Sequence, residues 1–167
     1  MKVVSPWYPA AMQGELSDVE MDELLSSEVF GHLGCSDGGK PYIVPMAYVF
    51  RENALYGQTT EGKKVDMLRK NPLVCFQVEK LKERQWRSVI CWGKFEELDF
   101  EELEKPEAVE IVKLLTQRIG AIQENVGIAI PFSFPGTAEP AVVNDKKSSL
   151  FRILITEKTG KFYMAGK

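Results

Sequence analysis

The chain has 167 residues, of which 44% are hydrophobic and 27% charged, with a formal net charge of −3; this is globular composition and excludes a disordered chain. A chain of this size buries roughly two-thirds of its unfolded surface, so it needs no disulfide or metal staple, and its negative charge offers nucleic acid or an acidic membrane no general attraction. No apolar run approaches the ~20 residues of a membrane span, the three cysteines make no C-x-x-C pair, and His32, the single histidine, excludes a multi-histidine metal site.

Residues 1–15 carry Pro6 and Pro9 without periodicity and read as an arm of a single domain spanning 1–167. They lack the apolar core of a signal peptide, and with an odd number of thiols a reduced cytoplasm is expected. Ser17-Asp18-Val19-Glu20 has the spacing of a capping box, with Leu16 and Met21 placed as a hydrophobic staple, so a helix is predicted over 17–27. The period then becomes two. Val29 to Cys35 and Tyr42 to Phe50 read as strands joined at Gly38-Gly39, and a third strand runs from Ala54 to Gln58. Pro41 and Pro45 cannot donate ladder hydrogen bonds, which places that strand at an edge, a bulge or a ligand. A short helix between Gly62 and Lys70 ends at Asn71-Pro72. Leu73 to Glu79 is a fourth strand, followed by a charged connection and a long fifth strand from Trp86 to about Glu97. Residues 96–110 hold eight acidic side chains and read as a solvated face. Pro106 opens a helix over about 106–126, with Ala108, Ile111, Val112, Leu115, Ile119 and Ile122 on one stripe. Residues 130–136 read as an ordered apolar loop that brings Phe132 and Phe134 to a possible entrance. A last strand, Ser149 to Thr156, turns at Glu157-Lys158-Thr159-Gly160. Six strands, few helices and hairpin-length connections predict a mainly β fold, an antiparallel sheet closed into a barrel with flanking helices.

Chemistry concentrates in three stretches. In Gln58-Thr59-Thr60-Glu61-Gly62-Lys63-Lys64 a strand ends in two hydroxyls and a helix begins at glycine followed by two ammonium groups. A helix N-terminus presents unpaired amides and a partial positive charge, so this stretch is a candidate phosphate cradle; solvated lysines are the alternative. Lys63 to Arg87 holds eight basic residues against three acids. In Trp86-Arg87-Ser88 alternation places Trp86, Ser88, Ile90 and Trp92 on one face and Arg87, Val89 and Cys91 on the other. A flat ligand can stack there and bond to Ser88, or the tryptophans can fill a barrel or a subunit contact. In Pro45-Met46-Ala47-Tyr48 the proline frees backbone groups for a ligand or for water. His32 reads as a solvent-facing strand residue, and Cys35, Cys75 and Cys91 as small core residues.

The order of these segments, from Gly31-His32-Leu33 through Lys40-Pro41-Tyr42, Tyr56 to Lys64, Asn71-Pro72 and Trp86 to Gly93, to Phe151-Arg152-Ile153, resembles the pyridoxamine 5′-phosphate oxidase-related flavin-binding split-barrel family, on its nitroimidazole-resistance branch. The resemblance implies a six-stranded Greek-key split barrel and a homodimer holding FMN between subunits; FAD or a deazaflavin is the alternative ligand. It implies phosphate binding at Gly62, Lys63 and Lys64, a ring along Pro45 to Tyr48, and a polar contact from Ser88. It further implies an oxidoreductase passing electrons to a small-molecule acceptor, with NAD(P)H as a candidate reductant. Gln58 stands where those relatives have a histidine, and it cannot shuttle a proton. The tail from Lys161 lacks the Arg/His motif of true pyridoxamine-phosphate oxidases, which argues against vitamin B6 synthesis. A flavin module without turnover and a haem-binding protein using His32 are the alternatives.

Overall fold

The structure, a computed structural model, describes residues 12–98, 105–127 and 148–165. Pro6, Pro9, the 130–136 loop with Phe132 and Phe134, and residues 99–104 of the acidic run lie outside them. The described elements run β1 (Met12–Glu15), α1 (Asp18–Ser27), β2 (Phe30–Asp37), β3 (Lys40–Ala47), β4 (Val49–Arg51), β5 (Ala54–Thr60), α2 (Lys63–Lys70), β6 (Leu73–Lys82), β7 (Gln85–Glu97), α3 (Pro106–Val126) and β8 (Ser148–Met164). The fold is mainly β, as expected, but the described residues form eight strands rather than six. Residues 12–15, inside the stretch read as an arm, pair with the end of β8.

All pairings are antiparallel, in the order β3-β2-β6-β7-β8-β5-β4, with β1 added to β8. Strands β3 and β4 sit at opposite ends of that order, yet one residue, Tyr48, joins them. A sheet whose two ends are one residue apart must curl until they meet. No ladder bonds β3 to β4, so the barrel is split along that seam. Gly57 permits the approach, because a Cβ there would lie 3.3 Å from the Ala47 carbonyl oxygen and 2.6 Å from the Phe151 ring.

Tyr48 also explains why the predicted strand from Tyr42 to Phe50 is broken in two. Its amide donates to the Val29 carbonyl at 3.0 Å, its hydroxyl donates to the Leu25 carbonyl at 2.7 Å, and its ring meets Phe76 edge-on at 5.0 Å. These bonds turn the residue out of the ladder and into the core, where burial pushes its phenol pKa up. Around it pack Leu25, Leu33, Leu55, Phe76, Val78, Val89 and Ile153, all 1% exposed or less.

The helix α1 forms as its capping box predicts. The Glu20 amide donates to Ser17 Oγ, and the Ser17 amide donates to Glu20 Oε2 at 2.9 Å. Met21, Leu24 and Leu25 are buried. Gly160 lets the helix seat, since a Cβ there would meet Met21 Cγ at 2.7 Å and Leu16 Cβ at 2.9 Å. The stripe on α3 buries Ala108, Ile111, Leu115 and Ile119, and Ile111 and Leu115 cover Val49, Leu98 and Leu150. Arg118 donates to the Ser26 and Tyr48 carbonyls and ties α3 to the seam.

Glu157 to Gly160 do not make the predicted turn. Their composition suits one, but they pair residue for residue with Val89 to Trp92, and β8 continues to Met164. The pairing shifts register between Trp92 and Gly93, with Trp92 opposite Glu157 and Gly93 opposite Ile155. Gly93 is required there: a Cβ would fall 2.7 Å from Ile153 Cγ2 and closer still to the Leu154 carbonyl oxygen. Because the clash is with backbone, Gly93→Ala is expected to destabilise the fold by about 1–3 kcal/mol, read as a lower urea midpoint with an unchanged slope. The connection predicted at 80–85 is likewise shorter than expected. Strands β6 and β7 pair out to Lys82 and Gln85 around a two-residue turn, with Glu83 at φ 56°.

Candidate functional site

The bend from Gln58 to Lys64 links the end of β5 to the start of α2. Gly62 adopts φ 155°, ψ −172°, a region essentially restricted to glycine. No side chain caps the first turn of α2, so its leading amides keep their donor capacity and partial positive charge. The bend is clamped from behind. Arg69 donates to both carboxylate oxygens of Glu61, at 2.9 and 2.8 Å, and also to Glu97 at 2.9 Å. Lys70 pairs with Asp37 at 2.8 Å, and Asn71 Nδ2 donates to the Ser36 carbonyl at 3.1 Å.

Two ammonium groups leave this first turn toward the β2–β3 hairpin. Lys63 is exposed, with Nζ 4.9 Å from the centre of the Tyr42 ring. Lys64 is partly buried beside Cys35, and burial lowers its pKa from the usual 10.5. Burial likewise raises the Cys35 thiol, although the Lys64 charge opposes it. Neither lysine forms an ion pair with a described residue. Positive charge is therefore concentrated at an uncapped helix start whose first turn also carries Asp66, while neither ammonium is paired with a carboxylate among the described residues. Thr59 is buried, with its hydroxyl 3.4 Å from the Thr60 carbonyl, whereas Thr60 is exposed. Gln58 is partly buried opposite Leu150.

The β3 residues divide by parity. Pro45 and Ala47 lie on the outer face, with Pro45 exposed and opposite His32. Met46 and Tyr48 are buried in the core, so their side chains serve packing. The edge position inferred from Pro41 and Pro45 is observed, since β3 ends the sheet order.

Strand β7 alternates as its sequence predicts. Val89 and Cys91 are buried, with the Cys91 thiol pushed up to about 12 by that burial. Ile90 and Trp92 are 37% and 40% exposed on the other face. Neither Trp86 nor Trp92 fills the barrel: Trp86 Nε1 donates to Glu79 at 3.0 Å and its ring leans on Tyr163. Ser88 is nearly buried, and Arg87 faces the opposite way, toward α1.

One network was not legible in the sequence. His32 Nδ1 lies 3.2 Å from Gln77 Oε1, and Gln77 Nε2 donates to Ser88 Oγ at 3.4 Å. If Gln77 Oε1 accepts, His32 carries its proton on Nδ1, and Ser88, already accepting from Gln77, keeps its own proton for another acceptor. His32 is exposed, as expected, but it is also the outer end of a chain leading to Ser88. The available signal was Gln77 itself, an amide at an outward position of an apolar strand. Cys75 departs from expectation: it is exposed, on the outer face, rather than in the core. The β2–β3 hairpin carries both Tyr42, at Lys63, and the partner of His32, so it connects the bend with the Gln77–Ser88 network.

The sequence pattern of the family described as pyridoxamine 5′-phosphate oxidase matches residues 17–161. An uncharacterized protein of Rhizobium meliloti (strain 1021) is 36% identical over 84 residues, 50% of this chain; the match spans 56% of that protein's length. Among solved structures, an FAD-binding protein from Mesorhizobium loti is similar, with 26% identity, a TM-score of 0.72, and 92% of this chain and 98% of that one covered. A candidate 5-nitroimidazole antibiotic resistance protein from Bacteroides thetaiotaomicron shares the fold, with 22% identity, a TM-score of 0.67, and 95% and 92% of the two chains covered. Among the described residues no helix is long and apolar enough to cross a membrane, and no group of three or more metal-ligating side chains is present.

Proposed function

Because the chain belongs to the pyridoxamine 5′-phosphate oxidase family, we propose that it binds a flavin, FMN or FAD, and serves as an oxidoreductase for a small molecule. The observation that carries this reading is the uncapped start of α2, where Lys63 and Lys64 stand without carboxylate partners beside β3. Amides at a helix start, two ammonium groups and the exposed Thr60 hydroxyl match the oxygens of a phosphate monoester. The similar FAD-binding protein from Mesorhizobium loti supports the cofactor class. The outer edge of β3, at Pro45 and Ala47, offers backbone along which a flat ring can lie. Ser88 supplies a hydroxyl whose direction Gln77 sets.

A bound flavin supplies hydride and electron transfer, and the protein supplies binding, orientation and electrostatics. No residue is assigned as a proton donor. Gln58 donates and accepts hydrogen bonds but does not exchange a proton near neutral pH. The proposed substrate is a small electron acceptor, with NAD(P)H as reductant.

A second copy of the chain completes the proposed site. Ile43, Leu73, Ile90, Trp92 and Leu154 are exposed on the outer face of the sheet, an apolar surface suited to a partner subunit. Trp92→Glu is expected to shift sedimentation from dimer to monomer and to release flavin; a variant that stays dimeric would remove this face from the interface. The function itself is tested by mass spectrometry of the ligand released on heating, followed by NAD(P)H oxidation with a quinone or nitroaromatic acceptor. Flavin with turnover supports the proposal, flavin without turnover leaves a binding module, and failure to bind FMN or FAD overturns it.

A further inference from the structure

A cleft of about 330 Å³ lies between α1 and the β6–β7 hairpin and shares no residue with the Gln58–Lys64 bend. Its strand wall carries Lys80, Lys82 and Arg87, and its helix wall carries Glu23, Leu24 and Ser27. The charges are unevenly satisfied. Lys80 pairs with Glu28 at 2.5 Å and donates to Ser27 Oγ at 3.4 Å. Lys82 and Arg87 form no ion pair with a described residue. Arg87 Nε is buried with no hydrogen-bond partner at all. The Glu20 carboxyl is held below its usual range chiefly by its hydrogen bonds to Ser17 in the capping box, with the Arg87 charge adding to the same direction, so it is committed to Ser17.

A buried, unpartnered nitrogen of a charged group is costly, and native proteins accommodate one by binding water or an ion. The guanidinium fork matches the two oxygens of a carboxylate or phosphate. We infer that the cleft between α1 and β7 binds a small metabolite through an oxyanion seated on Arg87 and flanked by Lys82. The volume is at the lower end of the range of small-molecule sites. Strand alternation thus gives neighbouring residues separate tasks: Ser88 faces the outer sheet surface, and Arg87 serves a second site on the opposite face.

The test titrates the full chain, in the flavin state in which it is purified, with sodium phosphate and in parallel with sodium succinate. Chloride holds the ionic strength constant. The Arg87 Nε–Hε resonance and the thermal unfolding midpoint are followed, with affinities from calorimetry. A saturable response to either anion is expected, with phosphate alone marking a phosphate ester and succinate alone a carboxylate. Arg87→Lys, which keeps the charge but loses the fork, should weaken binding about tenfold or more. Lys82→Gln, at an exposed position, should weaken it several-fold and remains informative if Arg87→Lys does not fold. Lys63→Ala with Lys64→Ala should leave the Arg87 Nε–Hε shift intact while removing any phosphate held at the start of α2 from the calorimetric signal, which separates this site from the proposed flavin phosphate site. The inference is overturned by a response that chloride reproduces, by no saturation, by affinity unchanged from the unaltered chain in both cleft variants, or by loss of the Arg87 resonance shift in the double lysine variant.

Discussion

Replacing Lys63 and Lys64 together with alanine is expected to weaken FMN binding by about 100-fold or more and to leave riboflavin binding nearly unchanged. A hydrogen bond from a charged donor contributes about 1.5–3 kcal/mol, so losing two removes about 3–6 kcal/mol, and each 1.4 kcal/mol is about tenfold in affinity. Riboflavin has no phosphate and serves as the control. The pH dependence carries a sign. Burial lowers the Lys64 pKa, so folding penalises its charged form. Without ligand, that penalty is present at neutral pH and disappears as pH rises from the lowered folded value toward 10.5, so stability gains with pH across this alkaline window. A bound phosphate favours the ammonium and raises its pKa again. FMN affinity should therefore fall as pH climbs through the same window, and Lys64→Met should flatten that limb. Fluorescence titrations with FMN and riboflavin measure both effects; equal losses for the two ligands would remove the phosphate from this helix start.

Tyr48→Ala is expected to destabilise the chain by about 3–5 kcal/mol, a large share of the 5–15 kcal/mol typical of a native domain. The side chain is 1% exposed, and it fills the core at the residue that carries the chain from one end of the sheet to the other. Tyr48→Phe separates packing from hydrogen bonding. It keeps the ring against Phe76 but leaves the Leu25 carbonyl without its donor, at about 1–3 kcal/mol. Urea unfolding followed by far-UV dichroism measures both. A loss under 1 kcal/mol for Tyr48→Ala would show that the seam does not depend on this side chain.

Several features were legible because they are written in contiguous residues. The capping box at Ser17 and Glu20, the glycine turn at Gly38-Gly39, the proline-terminated helix after Gly62, the stripe on α3 and the alternation of β7 all follow from local spacing. The positive cluster at Lys63 and Lys64 was equally visible. Other features required partners distant in sequence. Glu157 to Gly160 have turn-forming composition, yet strand β7 supplies ladder partners and draws them into β8. The break at Tyr48 depends on carbonyls 19 and 23 residues away, and the clamp on the Glu61–Gly62 bend on Arg69 and Glu97.

By itself, then, the amino-acid order determined the mainly β architecture, the helix boundaries and the pair of ammonium groups at the start of α2, since period, caps and charge act within a few residues. Tertiary structure alone decided that the two sheet ends meet at Tyr48, that His32 reaches Ser88 through Gln77, and that α1 is what Arg87 faces. Those relations arise from closure of a curled sheet, which brings together residues whose spacing along the chain carries no sign of their contact.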